Sequence, residues 1–182
     1  AEIPANNYLW IHLDRNEQDS ADWLNSELQY LDDIVVEALL AEETRPRILE
    51  YEKGVLLILR GVNLNQDAKP EDMVSIRLWI DEHRIISVRR RKLKAVTDIR
   101  ERLLQGKGPK SPGELLSQLV GRLLERMEPI FSELDEELDD IEEEVMESPD
   151  SKSRSEITAI RKQAIMFRRY IAPQRDVLAA LR

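Results

Sequence analysis

From Arg47 to Arg90 the chain carries short apolar runs with alternating polar positions; beyond Arg90, and in two short stretches before Arg47, the apolar residues fall at helical spacing. Tyr8 to Leu13 reads as a first strand, with Leu9, Ile11 and Leu13 on one side and Tyr8, Trp10 and His12 on the other. A helix opening near Asp19 or Ser20 carries Trp23 and Leu24. A second, from about Asp32 to Glu42, turns Val35, Ala38 and Leu39 inward. Thr44-Arg45-Pro46 stops it, because a residue before proline is pushed out of the helical region. Strands are then predicted at Ile48 to Tyr51, Val55 to Val62, Val74 to Ile80 and Ile85 to Arg89. Lys53-Gly54 and Asp81 to Arg84 turn the chain between them, which makes a mostly antiparallel meander. A short helix, Ala95 to Leu104, leads into the turn-rich stretch Gln105 to Gly113.

Ser111-Pro112-Gly113-Glu114 has the form of a capping box with proline at the first helical position, and predicts a helix running to about Glu147. At 1.5 Å per residue it would be roughly 50 Å long and must protrude from a domain of this size. Leu115, Leu116, Leu119, Val120, Leu123, Leu124 and Met127 form a broad stripe on its first half. From Phe131 the stripe narrows to Leu134, Leu138, Ile141 and Val145, the spacing of a two-helix seam. A reversal at Ser148 to Ser151 leads to a matching line: Ile157, Ile160, Ala164, Phe167, Ile171, Gln174, Leu178 and Leu181. Pro173 is expected to kink or end that second arm. The seam register makes Ala164→Asp a burial of charge and predicts that it destabilises the hairpin. The fold class is α+β: an α/β sandwich with a mostly antiparallel sheet flanked by helices, over 1–110. A long protruding antiparallel helical hairpin, 111–182, packs on it.

Charge adds to this picture. The segment Glu128 to Asp150 holds twelve acidic residues and no basic one, whereas Lys152 to Arg182 holds eight basic and two acidic. Opposite charges therefore flank the seam and set its pairing, while the apolar contacts hold it, since exposed ion pairs contribute at most about 1 kcal/mol each. The net charge of −9 argues against a nucleic-acid partner and suits cations. No run approaches the length of a membrane span, there is no cysteine, and the first residues lack a secretory pattern, so a cytoplasmic setting is expected.

No motif for catalysis is present, and no enzyme is expected. Gly106-Lys107-Gly108-Pro109-Lys110-Ser111 lacks the ending and strand context of a phosphate loop and reads as a surface loop. Only two histidines exist. His12 with Asp14 on one strand face, or His83 with Asp81 and Glu82 at a turn, supplies part of a zinc site, where a closed site wants four ligands. Arg89, Arg90, Arg91 and Lys92 form a basic cluster that can hold an anion, make an electropositive wall, or pair with nearby carboxylates.

Three stretches are similar to the cytoplasmic part of CorA-superfamily transporters, and more closely to the bacterial zinc-transporter branch ZntB. They are Ala41 to Ile48 with Val55 to Arg60; Ile86 to Lys92; and Arg161-Lys162-Gln163 with Met166 to Val177. Trp10 to Asp14 and Gly108-Pro109 extend the similarity over nearly the whole chain. The resemblance implies a homopentameric funnel at the cytoplasmic face of the cell membrane, with zinc or another divalent cation as the transported ion and no cofactor required. It also implies a stalk helix starting after Val177 and two membrane helices beyond it, joined by a Gly-x-Asn signature. A chain reaching only Arg182 is then expected to be a soluble fragment without much of the pentamer interface. Gly61-Val62-Asn63 matches the signature's letters but ends a strand, a coincidence of composition. The alternative reading is a free-standing helical-hairpin scaffold that engages a partner helix in a groove.

Overall fold

The computed structural model describes residues 7–147 and 151–181. A five-stranded sheet forms its middle layer, in the order β1-β5-β4-β3-β2. The strands are β1 (Leu9–Asp14), β2 (Arg47–Tyr51), β3 (Gly54–Gly61), β4 (Val74–Ile80) and β5 (Arg84–Arg89). The meander from β2 to β5 is antiparallel, and β1 returns to pair parallel with β5, Asp14 lying opposite Arg89. Gly54 at the β2–β3 turn leaves space for an indole: a Cβ there would sit 2.7 Å from Trp79 Cζ2 and collide with the Ile80 carbonyl.

Alternation sorts the side chains onto two faces. One face presents Leu56, Trp79, Ile86 and Val88 to α1 (Gln18–Glu27) and α2 (Asp33–Leu40), which bury Leu24, Val35, Ala38 and Leu39. The opposite face presents Leu57, Leu59, Ile76, Leu78 and Ile85 to α3 (Lys94–Leu104), α4 (Pro112–Glu147) and α5 (Ser151–Ala180). α2 ends at Leu40, ahead of the position that Pro46 alone would set. Ala41 is already extended, and Arg77 Nη2 donates to the carbonyls of Ala41 and Glu42 at 2.6 and 3.3 Å, which ties the chain down at the helix end.

α4 starts as its capping pattern requires, Glu114 N donating to Ser111 Oγ at 3.2 Å. The reciprocal bond is shifted by one residue, since Glu114 Oε2 accepts from the Lys110 amide. Near its start α4 lies in one cluster with Val177; further on, Met127 and Phe131 meet Phe167, so the two helices run antiparallel. Phe131 and Phe167 meet edge to face with ring centres 5.1 Å apart. The predicted reversal at Ser148–Asp150 lies outside the described residues.

Of the two outcomes expected at Pro173, a kink or an end, the end does not occur, since α5 runs on to Ala180; the register at Ala164 is corrected. The proline removes one helical hydrogen bond, while Gln174 and Val177, both buried, hold the backbone on its path. Ala164 is exposed, and the inward line passes instead through half-buried Gln163, whose Nε2 reaches Glu71 at 3.5 Å. Steps of three and four residues are both open to a helix, and the chain takes the step of three after Ile160. Ala164→Asp is therefore expected to cost only about 0.6 kcal/mol, the difference in helix propensity. Urea unfolding checks this; a loss above about 2 kcal/mol would put the residue back in the seam.

Candidate functional site

Alternation does bring Trp10, His12 and Asp14 to one face of β1, but β5 supplies their partners. His12 Nδ1 and Trp10 Nε1 each lie 2.8 Å from Ser87 Oγ, and that hydroxyl donates to the Ile11 carbonyl at 3.2 Å. With the hydroxyl donating to Ile11 and accepting from Trp10, the remaining lone pair suits an Nδ1–H donor, and the Nδ1 proton of His12 is assigned on that basis. Burial, together with the charges of Arg89 and Arg100 and against the opposing pull of Asp14, holds His12 down at about 4. Asp14 itself pairs with Arg89 at 3.0 Å and accepts from the Asn16 amide and side chain. Both residues are spoken for as anchors of the parallel β1–β5 pair.

Asp81 caps the β4–β5 turn, accepting from the amides of His83 and Arg84 at 3.0 and 2.8 Å and from Arg84 Nε at 2.9 Å. His83 is exposed beside Glu82. The structure does not unite the two histidines, and among the described residues no group of three or more histidines and acids is placed to hold a metal. The basic cluster divides by alternation: Arg89 is taken up by Asp14, whereas Arg90, Arg91 and Lys92 are exposed. Arg90 and Arg91 border a cavity of about 290 Å³ between the sheet and α5.

Of the predicted seam, Phe167 and Ile141 are buried; Leu134, Ile157, Ile160 and Ile171 are half-buried; Leu138 and Ala164 are exposed. The acidic side chains of Glu133, Asp135, Glu136, Glu137, Asp139 and Asp140 all face solvent, so α4 offers a field for cations and no closed cage. Asn63, in the Gly61-Val62-Asn63 triplet, is buried and donates to the Asp72 carbonyl while accepting from Asn65, which gives it a purely local role.

The most organised polar group was not predicted. β2 begins only at Arg47, opposite Ile58, leaving the outer edge of Arg60 without a strand partner. Gln174 of α5 takes the place of the missing strand: Arg60 N donates to its Oε1 at 2.6 Å, and its Nε2 donates to the Arg60 carbonyl at 2.9 Å. The Arg60 side chain donates to Thr44 and Met73 carbonyls at 2.5–3.1 Å and stacks 3.9 Å from the Tyr170 ring centre. Burial pulls the Arg60 and Arg77 guanidiniums below their usual range, Arg77 to about 10. The one available signal was an arginine closing one apolar run, Val55–Arg60, and another inside a second, Ile76-Arg77-Leu78.

The fold is thus a sheet covered on both faces, with a long acid-rich helix and a second long helix locked to the sheet edge. The chain belongs to the family of CorA-like Mg2+ transporter proteins, which matches residues 5–182. It is 41% identical over 175 residues to the divalent cation transporter CmaX of Pseudomonas aeruginosa, covering 95% of this chain and 52% of that protein. It is 35% identical over 181 residues to the zinc transport protein ZntB of Yersinia enterocolitica, covering 100% of this chain and 55% of that one. Among solved structures, the ZntB cytoplasmic domain from Vibrio parahaemolyticus superposes with a TM-score of 0.82 at 33% identity, over 94% of this chain and 68% of that one. The chain thus spans about half the length of the curated relatives it matches. No helix among the described residues is long and apolar enough to cross a membrane.

Proposed function

We propose that this chain is the cytoplasmic domain of a divalent-cation transporter, that the ion carried by its parent is zinc, and that the parent is a homopentamer in the cell membrane. The observation that carries the reading is similarity over nearly the whole chain to a zinc transport protein and to the cytoplasmic domain of another ZntB. The exposed carboxylates of α4 support it, because a row of like charges raises the local concentration of divalent cations without trapping them. The α5–sheet lock supports a domain that moves as a unit with whatever follows α5 in the parent.

Vesicles containing the parent protein and a metal-sensitive dye should admit Zn2+, and sedimentation equilibrium of the parent in detergent should give five copies. Entry of neither Zn2+ nor Mg2+ would overturn the transport reading. Entry of Mg2+ alone would overturn the assignment of zinc.

A further inference from the structure

The sheet register places arginines side by side on one face. Asp14 lies opposite Arg89, so one step further sets Arg15 beside Arg90. Ile76 lies opposite Arg89, so the same step sets Arg90 beside Ser75, and Ser75 pairs with Arg60. These residues share the face of Leu13, Val88 and Trp79, and Arg77 stands on that face two residues inward from Ser75. Four adjacent strands thus each bring an arginine to the same end of one face. Like charges across strands repel, and such a row persists only where something compensates them.

The protein's own groups compensate it incompletely. Arg77 is 0% exposed, and its Nε and Nη1 have no hydrogen-bond partner among the described residues. After burial, the largest charge effects on it come from Arg15, Arg60 and Arg90, all of the same sign. Above the row lies the cavity of about 290 Å³, bordered by Arg60, Ser75, Arg90, Arg91 and Tyr170. Three carboxylates, Glu42, Glu43 and Asp72, also line it, and Glu42 is engaged with Arg15 at 3.7 Å. Five guanidiniums, counting Arg15 and Arg77 behind the wall, therefore face three carboxylates.

We propose that this cavity binds a small doubly charged oxyanion of the phosphate type, held by the exposed guanidiniums of Arg90 and Arg91 in the field of Arg15, Arg60 and buried Arg77. Arginine forks match the oxygens of such an anion, and the cavity has room for it with part of its water. Arg77 contributes through its field, since its orphan nitrogens do not reach the cavity surface. Because Tyr170 and Met166 of α5 form the far wall, occupancy ties α5 more firmly to the sheet.

The test is the thermal midpoint during titration with inorganic phosphate, sodium chloride being withdrawn to keep ionic strength constant. The native chain should show a saturable rise of about 2–4 °C, and the double variant Arg90→Gln/Arg91→Gln should lose it. Both side chains are exposed, so the variant folds; its midpoint without phosphate confirms this. Phosphate also stabilises proteins by exclusion from their surface. An equal rise in native and variant chains is that general effect and would overturn the site, as would no rise in either.

Discussion

Replacing Gln174 by leucine should remove about 2–5 kcal/mol of folding stability, a third or so of what a domain of this size usually has. The side chain is buried and acts as one residue of a strand, satisfying both the amide and the carbonyl of Arg60. Leucine has nearly the same volume and fills the space, but it leaves two buried backbone groups without partners. Each such orphan costs about 1–3 kcal/mol. Gln174→Glu separates this cause from packing: a carboxylate still accepts from Arg60 N but cannot donate to the Arg60 carbonyl. It should therefore fall between the native chain and the leucine variant, or below it where the buried charge dominates. Urea unfolding of the three proteins provides the values. A loss below about 1 kcal/mol for leucine would mean that water can replace the glutamine, and that the lock between α5 and the sheet is not what fixes that helix.

How much of this was legible beforehand depends on whether a residue's role is local. Strands β2 to β5 and their turns followed from alternation, because consecutive strands that pair in order need only short-range information. The start of α4 followed from Ser111, Pro112 and Glu114 for the same reason. The pairing of β1 with β5 crosses most of the sheet domain, and no local pattern announces it. His12 and Asp14 were correctly placed on one face, yet their partners Ser87 and Arg89 come from that distant pairing. Arg60 and Arg77 were invisible as interior residues, since an arginine in a strand normally marks a solvent-facing position. Gln174 falls in the inward line from its spacing alone, and only the late start of β2, at Arg47, explains why a polar amide belongs there. Apolar spacing points to Ala164, yet the inward position is Gln163, because Glu71, far away in sequence, gives that polar residue a partner.

Acidification should weaken the β1–β5 junction by about 2 kcal/mol between neutral pH and about pH 4.5, through His12 alone. The folded chain prefers its neutral imidazole: burial, and the guanidiniums of Arg89 and Arg100, lower it from 6.5 to about 4 against the opposing carboxylate of Asp14. A group depressed in the folded state contributes fully above its unfolded value, here 6.5, and the contribution drains away as pH falls toward 4. Each unit in that window is worth about 1.4 kcal/mol, and the partial solvent contact of His12 reduces the sum. Carboxylates titrate nearby, so the native chain must be compared with His12→Asn, whose amide nitrogen can keep the bond to Ser87 Oγ without acquiring charge. Unfolding free energies at about pH 7 and about pH 4.5 should fall by about 2 kcal/mol more in the native chain than in the asparagine variant. Equal falls would show that the imidazole either gains its proton without penalty or reaches solvent when charged. The tautomer assigned through Ser87 would then lose its support, because an imidazole that swings out to water no longer completes that hydroxyl's bonds.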